Sequence, residues 1–62
     1  MTRYSQAQLQ AAIDVEAFQW AQFFNVTDPD QIEGRRRVMR ANVAVGYIKP
    51  LLPYLPPADA GL

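Results

Sequence analysis

The chain has 62 residues, six basic and six acidic side chains, no cysteine and no histidine, and half of it is apolar. A domain of this size buries only about 60% of the surface its unfolded chain exposes, and the usual remedies are disulfides, a structural metal or association. Lack of cysteine excludes the first, and without cysteine and histidine a zinc site loses its preferred ligands, which leaves association.

The same absence removes the Ser-His-Asp triads, Cys-His pairs and most catalytic metal sites. A non-enzymatic role is therefore expected, with no cofactor, no metal and no small-molecule substrate. The first six residues carry one basic side chain and no apolar run behind it, so no signal peptide is read. The most apolar stretch, 41–55, is interrupted by Asn42, Lys49, Pro50 and Pro53 and falls short of the roughly 20 residues a spanning helix needs. A soluble protein, cytoplasmic or incorporated into a virus particle, is expected.

Charge is unevenly divided. Residues 1–34 hold Arg3 against Asp14, Glu16, Asp28, Asp30 and Glu33, a net of −4; residues 35–62 hold Arg35, Arg36, Arg37, Arg40 and Lys49 against Asp59, a net of +4. Such a split favours the two halves lying against each other, or head-to-tail contacts between copies.

Ser5 reads as a helix start. Its hydroxyl can accept from the Gln8 amide, Ser5-x-x-Gln8 is a capping box, and Tyr4 and Leu9 occupy the positions of a hydrophobic staple. From Gln6 to Phe24 the chain is free of glycine and proline, so a helix over 6–24 is predicted, with Asn25 as a residue that tolerates the left-handed conformation at its end. Asp28 then caps a second helix, with Pro29 at its first position and Asp30 and Glu33 adding negative charge to its first turn. That helix is predicted to run over 29–48, stopped by the bias Pro50 places on Lys49. Gly34 and Gly46 each weaken it by up to ~1 kcal/mol, and Gly46, on an apolar stripe, reads as a site of close helix approach.

A short link between two long helices makes them antiparallel neighbours, so the expected fold is all-α, a two-helix hairpin over 1–49. Residues 50–62 are expected to form a proline-rich arm. Pro50, Pro53 and Pro56 recur at the three-residue period of polyproline II, which predicts an extended conformation over Pro50–Pro57.

Both helices carry two apolar stripes at a helical period. On the first helix Leu9, Ala12, Ile13, Trp20, Phe23 and Phe24 make one face, while Ala11, Val15 and Phe18 make another beside Gln8, Gln19 and Gln22. On the second, Ile32, Met39, Val43, Gly46 and Tyr47 make one face and Val38, Ala41, Val45 and Ile48 the other. A lone hairpin can bury one face of each helix, not two. Val15, Phe18, Val38, Val45 and Ile48 are therefore candidate partner-interface residues. The arm adds Leu51, Leu52, Tyr54 and Leu55, which an extended segment would lay in a groove on a neighbour; alternatively the arm folds back and covers one of these second stripes with the same four residues.

Glu16 falls inside an apolar stripe, and antiparallel pairing should bring it to Arg36 or Arg40 as a register-fixing ion pair. Glu33 can pair with Arg37 at i+4. The Arg35, Arg36, Arg37 and Arg40 group is a nucleic-acid cue, but it is spread around its helix in a neutral chain, and salt bridging is the preferred reading. Membrane-surface docking of 43–55 is disfavoured by its polar and proline residues. Asp28, Asp30 and Glu33 lack the later oxygen ligands of a calcium loop.

The functional expectation is a structural or assembly subunit that packs onto copies of itself or a larger protein, a small bacteriophage virion protein being one setting. The alternative is a small regulator that docks one helix face on a target enzyme or transcription complex. The two differ in stoichiometry, many symmetric copies against one per target.

Overall fold

The computed structural model describes residues 4–56. Helix α1 spans Gln6–Phe23, helix α2 spans Pro29–Ala44, and a 3₁₀ helix follows at Lys49–Tyr54. The two helices pack as the expected all-α hairpin, and the 3₁₀ segment packs on α1.

The start of α1 is the capping box read from the sequence. Ser5 Oγ accepts from the Gln8 amide at 3.0 Å, and Gln8 Oε1 accepts from the Ser5 amide at 2.8 Å. Asp28 caps α2 by accepting from the Asp30 amide at 2.9 Å, with Pro29 at the first position.

Both helices end in a Schellman motif. In α1 the Val26 amide donates to Ala21 O at 2.8 Å and the Asn25 amide to Gln22 O at 3.3 Å, with Asn25 at φ 57°. In α2 the Tyr47 amide donates to Asn42 O at 2.8 Å and the Gly46 amide to Val43 O at 2.9 Å, with Gly46 at φ +83°. This corrects two expectations. The helix stops at Ala44 rather than 48, and what stops it is Gly46 turning left-handed, not the restriction Pro50 imposes on Lys49. Nor does Gly46 admit a neighbouring helix, since a Cβ placed there would meet nothing within 4 Å.

The arm also differs from expectation. Residues 49–54 coil into a 3₁₀ helix instead of extending, and the Leu51 amide donates to Ile48 O at 2.9 Å. Proline fixes φ near −65°, which suits polyproline II and 3₁₀ geometry equally, so the proline spacing does not separate them. Burial does. At about three residues per turn Ile48 and Leu51 share a side, and that side lies on α1. Pro57, the last residue of the expected extended stretch, lies outside the described residues.

The core is small. Ala12, Ile13, Met39, Leu51 and Leu55 form it, with Tyr4, Leu9, Val43 and Ile48 packed around them. It occupies the end of the hairpin away from the interhelical turn. Nearer the turn, α1 presents the buried alanines Ala17 and Ala21. The Tyr4 hydroxyl donates to Pro56 O at 3.2 Å and ties the segment before α1 to the one after the 3₁₀ helix.

Candidate interaction surface

The charged residues sort first. α1 carries only Asp14 and Glu16, and both reach α2. Arg35 grips Glu16 with two bonds, Nε to Oε1 at 3.0 Å and Nη2 to Oε2 at 2.5 Å. Its guanidinium also lies 5.4 Å from the centroid of the Trp20 ring. Glu16 and Trp20 are one turn apart, so α1 offers a carboxylate and a π-face together, and a planar guanidinium uses both. Glu16 is buried, and the paired bonds hold the Arg35 guanidinium above its ordinary pKa, against the opposing effect of burial.

Arg36 Nε bonds Asp14 Oδ1 at 3.2 Å and its Nη1 bonds Glu33 Oε1 at 3.3 Å; Arg40 Nη2 bonds Glu33 Oε2 at 2.6 Å. These contacts correct the expected pairings. Glu16 takes Arg35 rather than Arg36 or Arg40, and Glu33 takes Arg36 and Arg40 rather than Arg37. Arg37 is exposed and has no ion-pair partner among the described residues. The Arg40 hydrogen bond, ahead of that from Arg36, holds the Glu33 carboxyl below its ordinary pKa. Glu16–Arg35 and Asp14–Arg36 thus join the acidic half to the basic half across the two helices, while both Glu33 contacts lie within α2.

The apolar candidates divide in two. Leu51 and Leu55, expected to clasp a neighbour, are 1% and 8% exposed and belong to the chain's own core. Ile48 is half-buried against that core and belongs with them. The fold-back covers the Leu9–Ala12–Ile13 side of α1, not the second stripes. Val15, Phe18, Val38 and Val45 consequently stay exposed, as do Leu52 and Tyr54.

One feature escaped the sequence reading. Phe23 and Phe24, assigned to the inner face of α1, are 80% and 60% exposed. They stack edge-on at 4.9 Å, and Phe24 lies 6.0 Å from Trp20. The helix ends there and the chain turns away, so the wheel that put them inside has no partner helix opposite it. Asn25 as a terminator was the available signal.

Open grooves lie beside the interhelical contact among the described residues, two of them with well-defined linings. One, about 300 Å³, runs between Leu9, Ile13, Arg40 and Val43; the other, about 390 Å³, lies beside Phe18, Ala21, Val26 and Ile32 at the turn. Neither gathers titratable groups. Among the described residues no cluster of acidic side chains could hold a metal ion, and no helix is long and apolar enough to cross a membrane. No family model, curated protein or solved structure matches the chain.

Proposed function

We propose that the protein is a non-enzymatic assembly subunit whose work is done by its outer helix faces. The observation that carries this reading is the imbalance between inside and outside. Among the described residues, three of the seven buried apolar residues are alanines, whereas nine large apolar side chains are exposed, Phe18, Phe23, Val38 and Val45 among them. Scattered exposed apolar residues are ordinary in a monomer, but residues repeated along both helices at helical spacing form continuous faces. Three of the four clustered arginines are already engaged by carboxylates, which leaves little basic surface for nucleic acid and favours a protein partner.

A setting that supplies many copies side by side suits such a subunit, and a virus particle such as that of a bacteriophage is one. One observation favours the regulator reading as a second choice: the Trp20, Phe23 and Phe24 rings form an aromatic tip of the kind that anchors single-target interfaces.

The test is the mass of the purified chain in solution from nanomolar to high micromolar concentration, by sedimentation, with a dye that reports exposed apolar surface. Concentration-dependent assembly is expected, with dye binding falling as assembly proceeds. A folded monomer throughout, binding no dye, overturns the proposal.

A further inference from the structure

The outer faces carry a spacing that the hairpin itself does not use. On α1 it is Gln8, Ala11, Val15, Phe18 and Gln22; on α2 it is Gln31, Gly34, Val38 and Ala41, continued by Val45 at its C-terminal cap. Each set steps by three and four residues alternately, the period of a helix-packing seam. Nine of the ten are exposed and Gly34 is half-buried, so neither seam is occupied within the chain.

Each seam lies behind its helix's contact with the other. At about 100° per residue the α1 seam centres roughly opposite the side that carries Ile13, Glu16 and Ala17, and the α2 seam lies well away from Ile32, Met39 and Val43. The two seams therefore point to opposite sides of the hairpin. The α1 seam and its neighbours Ala7 and Gln19 carry no charge; Glu16 is turned to α2, and Asp14 stands just beyond the Phe18 edge of the seam.

Two further observations say what covers them. Gly34 sits in the interior of α2, where glycine weakens a helix, yet a Cβ there would meet nothing within 4 Å. Nothing in the hairpin calls for its small size; a helix arriving from outside does. The second is charge. Arg37 flanks the α2 seam without a partner among the described residues. Asp14 flanks the α1 seam on the corresponding side, half exposed, and its Oδ2 accepts no bond among the described residues while Oδ1 takes Gln10 and Arg36.

Resting on the assembly reading above, we infer that the occupant of each seam is the other seam of a second copy. Copies stacked in the same orientation place α1 of one antiparallel to α2 of the next, and in antiparallel packing corresponding flanks face each other. The register that brings Asp14 to Arg37 of the next copy sets Val15 on its Gly34, Ala11 on its Val38 and Gln8 on its Ala41. In these three layers a larger side chain meets a smaller one, and the same register sets Phe18 on Gln31 at the end of the seam. Because the two surfaces differ, the contact is head-to-tail, and it propagates as a ring if the rotation per copy closes and as a filament if it does not.

The chain has no cysteine, so the register can be read by cross-linking. In the double variant Val15→Cys with Gly34→Cys, a short bis-maleimide should yield a ladder of multimers, because positions 15 and 34 lie on opposite sides of one hairpin and meet only between copies. Val15→Cys alone should give no dimer. A dimer from that single variant means two α1 seams pair with each other, which overturns this inference and leaves the assembly reading standing; a monomer at every concentration overturns both. Gly34→Leu supplies a second measurement. Open space over Gly34 and the better helix propensity of leucine should preserve helicity and raise the thermal midpoint of the dilute chain, while overpacking against Val15 should weaken assembly by about tenfold or more. Unchanged assembly of a folded Gly34→Leu chain overturns the inference.

Discussion

Glu16→Gln isolates the one charged residue that is buried among the described residues. Glu16 is 8% exposed, and its carboxylate receives two Arg35 bonds, at 3.0 and 2.5 Å. Glutamine keeps the volume, but one of its two terminal atoms becomes a donor, so one Arg35 nitrogen faces N–H instead of oxygen and the compensating charge is gone. Breaking a fully buried pair costs about 3–5 kcal/mol. The Arg35 side chain is 27% exposed and stays solvated in part, and Trp20 still offers its π-face, so the loss should lie nearer ~1–3 kcal/mol. In a domain of this size each kcal/mol moves the midpoint by roughly 4–8 °C, which puts the expected fall at about 4–24 °C.

Thermal unfolding followed by circular dichroism at 222 nm, at one fixed protomer concentration, measures it. The partner experiment is a double-mutant cycle with Arg35→Met. If the two residues act as a pair, the double variant is less damaged than the sum of the singles, by about 0.5 kcal/mol or more. An unchanged midpoint for Glu16→Gln, or additive single effects, would refute the view that this contact holds the helices in register.

Three other outcomes follow from the same packing. Leu51→Ala removes the largest fully buried side chain and should cost about 2–5 kcal/mol in chemical denaturation, and a loss below ~1 kcal/mol would show that the 3₁₀ segment is not part of the cooperative core. Gly46→Ala forces a Cβ into φ +83° and should destabilise by about 1 kcal/mol despite the open space around it, whereas a stabilised variant would mean that α2 runs on past Ala44. The Glu33 carboxyl is held below its ordinary pKa by Arg40 and Arg36, so its stabilising contribution is complete above the ordinary glutamate range of about 4.3 and is lost as pH falls through the lowered value. Glu33→Gln should accordingly flatten the acid limb of the pH–stability curve and leave stability insensitive to this group there; an identical acid limb in the variant would contradict the assignment.

The local structure of this chain was legible from its residues because the signals are short-range. Ser5, Gln8, Asp28 and Pro29 mark helix starts by bonds that span three residues or fewer, and Asn25 marks a stop by a conformation that few side chains tolerate. Two outer apolar stripes were also legible, since a stripe is a property of one helix. Sequence spacing alone decided these.

What needed the fold was every choice among equals. Four arginines stand within six positions, and which one reaches Glu16 depends on the rotation of α2 about its axis; Arg35 wins because only there do the carboxylate of Glu16 and the ring of Trp20 converge on one guanidinium. The prolines permit two backbones of nearly the same φ, and burial of Leu51 and Leu55 on α1 selects the coiled one. Phe23, Phe24 and Val45 are apolar at helical spacing, yet they sit where a helix ends with nothing opposite. The residues of this chain state what each segment can bury. Only the tertiary structure decides which surfaces find a partner within the chain and which are left facing outward, because that outcome depends on the relative placement of segments far apart in sequence.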